Sequence, residues 1–294
     1  MDHDVIIVGG SYSGMAAGLQ LLRARRRVLV IDAGERRNRF ASHSHGFLTQ
    51  DGTPPEVIAA KAREQLEAYP TLEWRETKAT AARQIDGGFA IETEGGETVT
   101  ARRLVLALGV SDALPEIEGL KERWGKHVFH CPYCHGYELN QGRIGVIAVG
   151  ELSMHQGTML PDWGDTTFLI NGSFEPNHEQ MQMLEQRGAK TETGKIVRIS
   201  GEADVELEDG RVLNFDGLFV ASQIAPSSPL AEQLGCDFED SPIGRHITTN
   251  QMKETSVPFV FACGDAARMA GSIALAVGDG AQAGAGVHHS LMFR

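Results

Sequence analysis

Asp4-Val5-Ile6-Ile7-Val8-Gly9-Gly10-Ser11-Tyr12-Ser13-Gly14 is the stretch on which the reading of this chain turns. Val5 to Val8 is too apolar to alternate, which suits a short strand of a parallel sheet covered on both faces. It runs into a glycine turn, a helical pattern continuing to about Arg25, and a second apolar strand, Val28 to Ile31, that stops at Asp32. Together these form a βαβ dinucleotide fingerprint. Gly9 makes the tight turn, Gly14 lets the helix pack closely, the helix N-terminus receives a pyrophosphate, and the carboxylate reads a ribose. Ser11 stands at the second glycine position and is small enough to leave the phosphate approach open. A glycine motif alone is a weak signal, but flanked by both strands, the helix and an acid eighteen residues past Gly14 it is specific.

Outward from this unit, the 294 residues are long for one domain and comfortable for two. With 41% hydrophobic and 22% charged residues the composition is that of a soluble globular protein, and 34 glycines imply many tight turns. A formal charge of -12 argues against nucleic acid or an anionic membrane as partner, since neither phosphate surface would attract it. No run approaches the roughly 20 apolar residues of a membrane span. Val5 to Val8 carries acidic flanks and no basic n-region, so it does not read as a signal peptide, and a cytoplasmic address is expected.

The loop from Arg39 to Gly52, rich in histidine and glycine, suits a ligand wall, with His43 and His45 able to lie over a bound cofactor. Pro54-Pro55 then starts a helix of about residues 56–69. Residues 72–106 read as an antiparallel meander around Gly87-Gly88 and Gly95-Gly96, closing with a buried strand that meets a turn at Gly109.

A different chemistry occupies His130-Cys131-Pro132-Tyr133-Cys134-His135. Two cysteines separated by two residues can close a disulfide or offer a thiol pair, which makes them a two-electron switch. His135 follows directly, and an imidazole titrating near neutrality can take up or hand over the proton that each exchange step moves. Half of a zinc site is the competing reading. Closed zinc sites bring a second Cys or His pair at short spacing, whereas Cys236 and Cys263 stand alone, so no metal is expected. In a reducing compartment Cys-x-x-Cys is more often catalytic than structural.

Beyond the pair, the strand at Ile144–Val149 runs into Gly150-Glu151-Leu152-Ser153, then a helix pattern and a strand to Ile170. The layout is a second dinucleotide unit with degenerate chemistry. Ala148 and Ser153 fill the outer glycine positions, and Ile170-Asn171-Gly172-Ser173 offers neither a ribose acid nor an arginine, which argues against NAD(P)H binding. Near the C-terminus a buried strand, Val257 to Cys263, ends in Gly264-Asp265, placing an amide and a carboxylate at a sheet edge. A small-residue helix follows, Ser272 to Gly286, able to present its N-terminus to an electron-rich ring.

These parts, in this order, resemble the low-molecular-weight thioredoxin reductases over essentially the whole chain. The resemblance implies an α/β fold of two Rossmann-like dinucleotide-binding domains, the first split around the inserted second. An FAD-binding domain would comprise residues 1–113 and 245–294, and an NAD(P)H-domain-like insertion, 114–244, would carry the redox pair. It further implies a homodimer with FAD held by Gly9, Ser11, Gly14, Asp32, His45, Gly109, Gly264, Asp265 and the Ser272-Ile273 edge. Carried over, Cys134 faces the flavin, Cys131 exchanges with substrate, and His135 replaces an acidic proton donor.

The histidine after the pair and the degenerate second motif bring the chain closer to the gliotoxin- and holomycin-type dithiol oxidases, which share Cys-x-x-Cys-His. The favoured expectation is an FAD-dependent oxidase passing electrons from a substrate dithiol to flavin to oxygen. The alternatives are a disulfide reductase fed by NAD(P)H, ferredoxin or another flavin, and a non-catalytic flavin-bound redox sensor. The partner would be a small-molecule dithiol or a thioredoxin-like protein.

Overall fold

A computed structural model describes residues 1–294. The chain forms two compact units, one of Met1–Arg39, Phe47–Ser111 and Ile224–Arg294, the other of Phe40–Gly46 and Asp112–Gln223. In the first, β1 (His3–Val8), α1 (Tyr12–Arg23) and β2 (Val28–Asp32) reproduce the fingerprint, followed by α2 (Pro55–Glu67). β1 lies parallel between β2, where Val5 pairs with Val28, and β6 (Thr98–Leu106), where Val5 pairs with Arg103. Its lack of alternation has a direct cause: Ile6 and Val8 enter one apolar cluster while Val5 and Ile7 enter another on the opposite face.

The expected meander is only partly antiparallel. β3 (Leu72–Glu76) pairs parallel with β2 at the edge of the main sheet, and only β4 (Ala79–Ile85), β5 (Gly88–Thr93) and β6 run antiparallel. An edge strand with both faces half-buried carries no clean alternation, so its sequence could not separate the two cases. β6 serves both systems. Phe89 and Ile91 of β5 pair with its first half, whereas Leu104 to Leu106 lie between β1 and the strand Val260–Ala262.

Residues 224–244, placed with the insertion on sequence grounds, fold in the first unit. Leu230, Ala231, Leu234 and Cys236 join the cluster under the meander, and the Gln233 side chain accepts from the Ala82 amide at 2.9 Å. Full burial of each such leucine contributes about 2 kcal/mol, enough to recruit the segment.

The C-terminal helix, Ile273–Phe293, is longer than its small-residue stretch and packs on α1. A Cβ at Gly280 or Gly284 would overlap the carbonyl of Ser13 or Ala17, so the small residues set how closely the two backbones approach.

The second unit has its own five-stranded parallel sheet. Its spatial order is Lys190–Glu192, Gly164–Leu169, Gln141–Ile147, Gly217–Val220 and Val128–Phe129. Residues 195–220 therefore divide. Ile196–Ser200, Asp204–Leu207 and Val212–Asn214 make an antiparallel sheet of three, turning at Gly210, while Gly217–Val220 is a buried strand of the parallel one, between Gln141–Ile147 and Val128–Phe129. No helix is long and apolar enough to cross a membrane.

Candidate functional site

At the C-terminal ends of β1 and β2 the glycine turn is held by its neighbours. The Gly10 amide donates to Asp32 Oδ1 at 3.0 Å, so Asp32 serves the turn itself. Gly9 has φ +105°, and a Cβ there would overlap the Ala107 carbonyl; one at Gly14 would overlap the Gly9 carbonyl. Ser11 is the N-cap of α1, yet its hydroxyl makes no capping bond. The first-turn amides of a helix have no partner within it. A dinucleotide pyrophosphate fits this cradle, which combines close backbone, a positive helix end and an uncommitted hydroxyl.

The neighbouring sheet edge brings Gly264 and Asp265 to the same end. A Cβ at Gly264, φ +74°, would strike the Ser13 side chain, and one at Gly271 would strike the Asp265 carboxylate. Ser272 is not idle, since its Oγ accepts the Leu275 amide at 3.1 Å and caps the C-terminal helix, while Ile273 begins that helix and packs at the core's margin. Gly109, φ +65°, has open space where a side chain would project.

Arg37, Asp279 and Lys253 escaped the sequence reading here. Arg37 Nη1 donates to Asp265 Oδ2 at 3.1 Å, although the basic run that contains it, Arg36 to Arg39, reads in the sequence as a solvated face or a local phosphate contact. Asp279, buried in the C-terminal helix, accepts the Gly264 amide at 3.0 Å and pairs with Lys253 Nζ at 2.5 Å. A lone acid among small apolar residues was the legible signal for that cluster. Cys263 is fully buried beside it, and burial pushes its thiol up to about 12, which removes it from thiol chemistry.

In the second unit the thiol pair sits on a single helical turn, Pro132–His135, with Cys131 at its N-cap and Pro132 at its first position. The Cys134 amide donates to the Cys131 carbonyl at 3.2 Å, and both cysteines are half-buried. A Cβ at Gly136 would overlap the Trp163 ring and the Pro132 carbonyl, so the turn can close only on glycine. Behind the pair, Gln156 Nε2 donates to the His130 carbonyl at 2.8 Å.

His135 differs from its expected state. Its ring stacks on Phe129 at 4.3 Å and 13°, and both ring nitrogens are buried without a hydrogen-bond partner. Burial, and secondarily the nearby His45, push its pKa down to about 4 instead of leaving it near neutrality. At pH 7 the imidazole is neutral, competent to accept a proton and poorly able to keep it. His45, ninety positions earlier, is in this unit and not with the glycine turn, its Nδ1 3.3 Å from Glu138 Oε1.

The second nucleotide motif is braced by its own side chains. The Ser153 hydroxyl, fully buried, accepts the Val149 amide at 3.0 Å, and the Asn171 side chain accepts the Ile196 amide at 2.8 Å. Ser153 thus braces the glycine turn, and Asn171, at the position where a ribose acid would stand, holds the backbone of the following segment.

A glycine cradle on one Rossmann-like unit and a Cys-x-x-Cys turn on another define a nucleotide-dependent thiol–disulfide oxidoreductase. Comparison with known proteins agrees. Residues 3–283 match the model of the Pyridine nucleotide-disulphide oxidoreductase family. The chain is 32% identical over 298 residues to thioredoxin reductase tcpT of Claviceps purpurea (strain 20.1), covering 96% of this chain and 92% of that protein. Among solved structures, an oxidoreductase from Agrobacterium tumefaciens superposes with TM-score 0.97 at 56% identity, over 100% of this chain and 99% of the other. HlmI superposes with TM-score 0.91 at 31% identity, over 99% and 92%. The chain belongs to the Pyridine nucleotide-disulphide oxidoreductase family, with the two-domain fold of thioredoxin reductases, and is an enzyme of disulfide oxidoreduction whose family implies FAD.

Proposed function

We propose that this protein oxidises a substrate dithiol to a disulfide at the Cys131–Cys134 pair, with FAD held by the first unit and dioxygen as final acceptor. The observation that carries the reading is the degenerate second nucleotide motif, in which Asn171 stands where a ribose acid is needed and holds the Ile196 amide instead. A nicotinamide donor would find neither a ribose acid nor an arginine in Ile170-Asn171-Gly172-Ser173. Electrons therefore enter through the thiols. His135 supports the same direction, because a neutral imidazole beside the pair is prepared to receive protons from a dithiol.

One substrate thiol loses its proton, and its sulfur bonds to Cys131 Sγ as the Cys131–Cys134 bond breaks, the electron pair leaving on Cys134. The second thiol then loses its proton and its sulfur bonds to the first, releasing Cys131. The substrate is oxidised by two electrons, the pair is reduced by two, and two protons are left for the protein to place. Bound FAD supplies the two-electron acceptor that returns the pair to its disulfide. Gly9, Ser11 and Gly14 would take the pyrophosphate, Asp32 the adenosine ribose and Asp265 the ribityl chain, and Gly109, Gly264 and Ser272-Ile273 would line the remaining edge. Overall, one dithiol and one dioxygen give one disulfide and one hydrogen peroxide.

The substrate is a small dithiol or a thioredoxin-like protein, and the working form is a cytoplasmic homodimer. Anaerobic mixing tests the reading: a dithiol should bleach the yellow flavin band, whereas NADPH and NADH should not. Fast bleaching by either nicotinamide would make the protein a disulfide reductase.

A further inference from the structure

Gln156 stands on the helix Ser153–Met159, one turn beyond the serine that braces the degenerate nucleotide turn, and is only 6% exposed. That helix is firmly seated. Met154 enters the same apolar cluster as Phe129, and a Cβ at Gly157 would strike the Phe168 and Leu184 side chains. From this seat Gln156 Nε2 donates to the His130 carbonyl at 2.8 Å, while its Oε1 is buried with no partner. The amide is used at one end only, and turning it over would set oxygen against oxygen. A methionine would fill the place without leaving an oxygen unsatisfied, so packing alone gives no reason for a glutamine. His130 follows the strand Val128–Phe129 and precedes Cys131, the N-cap of the thiol turn. The peptide unit between them is planar, so a bond that fixes the His130 carbonyl also fixes the Cys131 amide and the backbone from which its side chain springs. The far end of the turn has its own hold, in the stack of His135 on Phe129 and the Trp163 ring against Gly136.

We propose that Gln156 is a positioning residue for the thiol pair: by donating to the His130 carbonyl it holds Cys131 in place for Cys134 and so favours the disulfide over the dithiol. A disulfide demands a narrow range of Cα separation and dihedral angle, and holding two groups near their reacting geometry raises their effective concentration. Gln156 transfers no atom itself. When the pair opens, the Sγ–Sγ bond breaks as two electrons and two protons enter. When it closes, they leave, and the clamp has already ordered the dithiol for closure. The helix that in a nucleotide-binding unit would serve a pyrophosphate here supports the redox centre. The inference rests on Cys131 and Cys134 being the redox couple, and it holds for either direction of electron flow.

The test reads the redox equilibrium of the pair. Anaerobic holoenzyme is equilibrated with mixtures of reduced and oxidised dithiothreitol and quenched with iodoacetamide, and the alkylated fraction of Cys131 and Cys134 is read by peptide mass. Gln156→Met, similar in volume but without the N–H, should move the equilibrium about tenfold toward the dithiol, which is about 30 mV for two electrons. Gln156→Glu adds a comparison within one protein. Its buried carboxyl donates to the His130 carbonyl only when protonated, so against wild type at the same pH its couple should match at about pH 5 and be displaced at about pH 8 at least as far as that of Gln156→Met. Lost packing would not produce such a pH-dependent rescue. An equilibrium for Gln156→Met within about twofold of wild type, or displaced toward the disulfide, would overturn the clamp. A Gln156→Glu offset that is equal at the two pH values would do the same. If Gln156→Met does not fold, Gln156→Glu alone decides. A wild type whose two cysteines alkylate fully in every mixture has no couple to position, and that result would overturn the Cys131–Cys134 reading together with the clamp.

Discussion

Replacing His135 by phenylalanine separates what the imidazole costs the fold from what it does in the reaction. The ring stacks on Phe129 with both nitrogens buried and unpartnered, and its pKa falls from 6.5 to about 4. A difference of about 2.5 units at ~1.4 kcal/mol each is about 3 kcal/mol of linkage. Because the folded value lies below the unfolded one, the unfolded chain takes the proton first as pH falls. Wild-type stability from this group is therefore full above about pH 6.5, declines below it, and is lost by about pH 4. His135→Phe keeps an aromatic stack and has nothing to protonate. It should be more stable than wild type by about 1–3 kcal/mol at pH 8, since an unsatisfied polar ring is gone. That advantage should widen by about 3 kcal/mol more on going to pH 4. Urea unfolding at several pH values, followed by the emission of Trp124 and Trp163, which both lie in the second unit, measures it. In the same variant, dithiol-driven bleaching should fall by about 10²-fold or more. A stability difference that stays constant with pH would refute the buried neutral imidazole, whatever happened to the activity.

The C-terminal helix offers a matched pair: Gly280→Ala would drive a Cβ into the Ser13 carbonyl and should cost about 2–3 kcal/mol in thermal unfolding, whereas Gly278→Ala, with open space around it, should be neutral or stabilising by up to about 1 kcal/mol. Asp279→Asn removes the charge that holds the Gly264 amide and Lys253, so FAD retained per chain after gel filtration should drop, with affinity weaker by about 10- to 100-fold. Cys131→Ser and Cys134→Ser should both abolish turnover but differ in colour: a long-wavelength absorbance is expected with Cys131→Ser, and its appearance only with Cys134→Ser would reverse the two roles. Gel filtration of the holoprotein should give twice the 31.8 kDa chain mass, and elution as a monomer would remove the dimer from the reading.

What the sequence determined on its own was everything local. The run from Asp4 to Gly14 specifies a buried strand, a turn that only glycine can make and a helix start, and all of these are settled by neighbours within a few positions. The Cys131–Cys134 spacing, Gly264-Asp265 and the small-residue helix are legible for the same reason. Tertiary structure decided what depends on residues far apart in the chain. β3 looked like part of a meander because pairing with β2 leaves no mark on the alternation of a half-buried edge strand. Leu230 and Leu234 read as an insertion's residues until the meander supplied a surface to bury them. Arg37 meets Asp265 across 228 positions, which no pattern in a basic run could announce. His135 is the sharpest case. Its identity and its place after Cys134 were plain, but its protonation depends on Phe129 covering one face of the ring and on His45 arriving from a loop ninety residues earlier. An ionisation constant is a property of the surrounding dielectric and charges, and those exist only once the chain has folded.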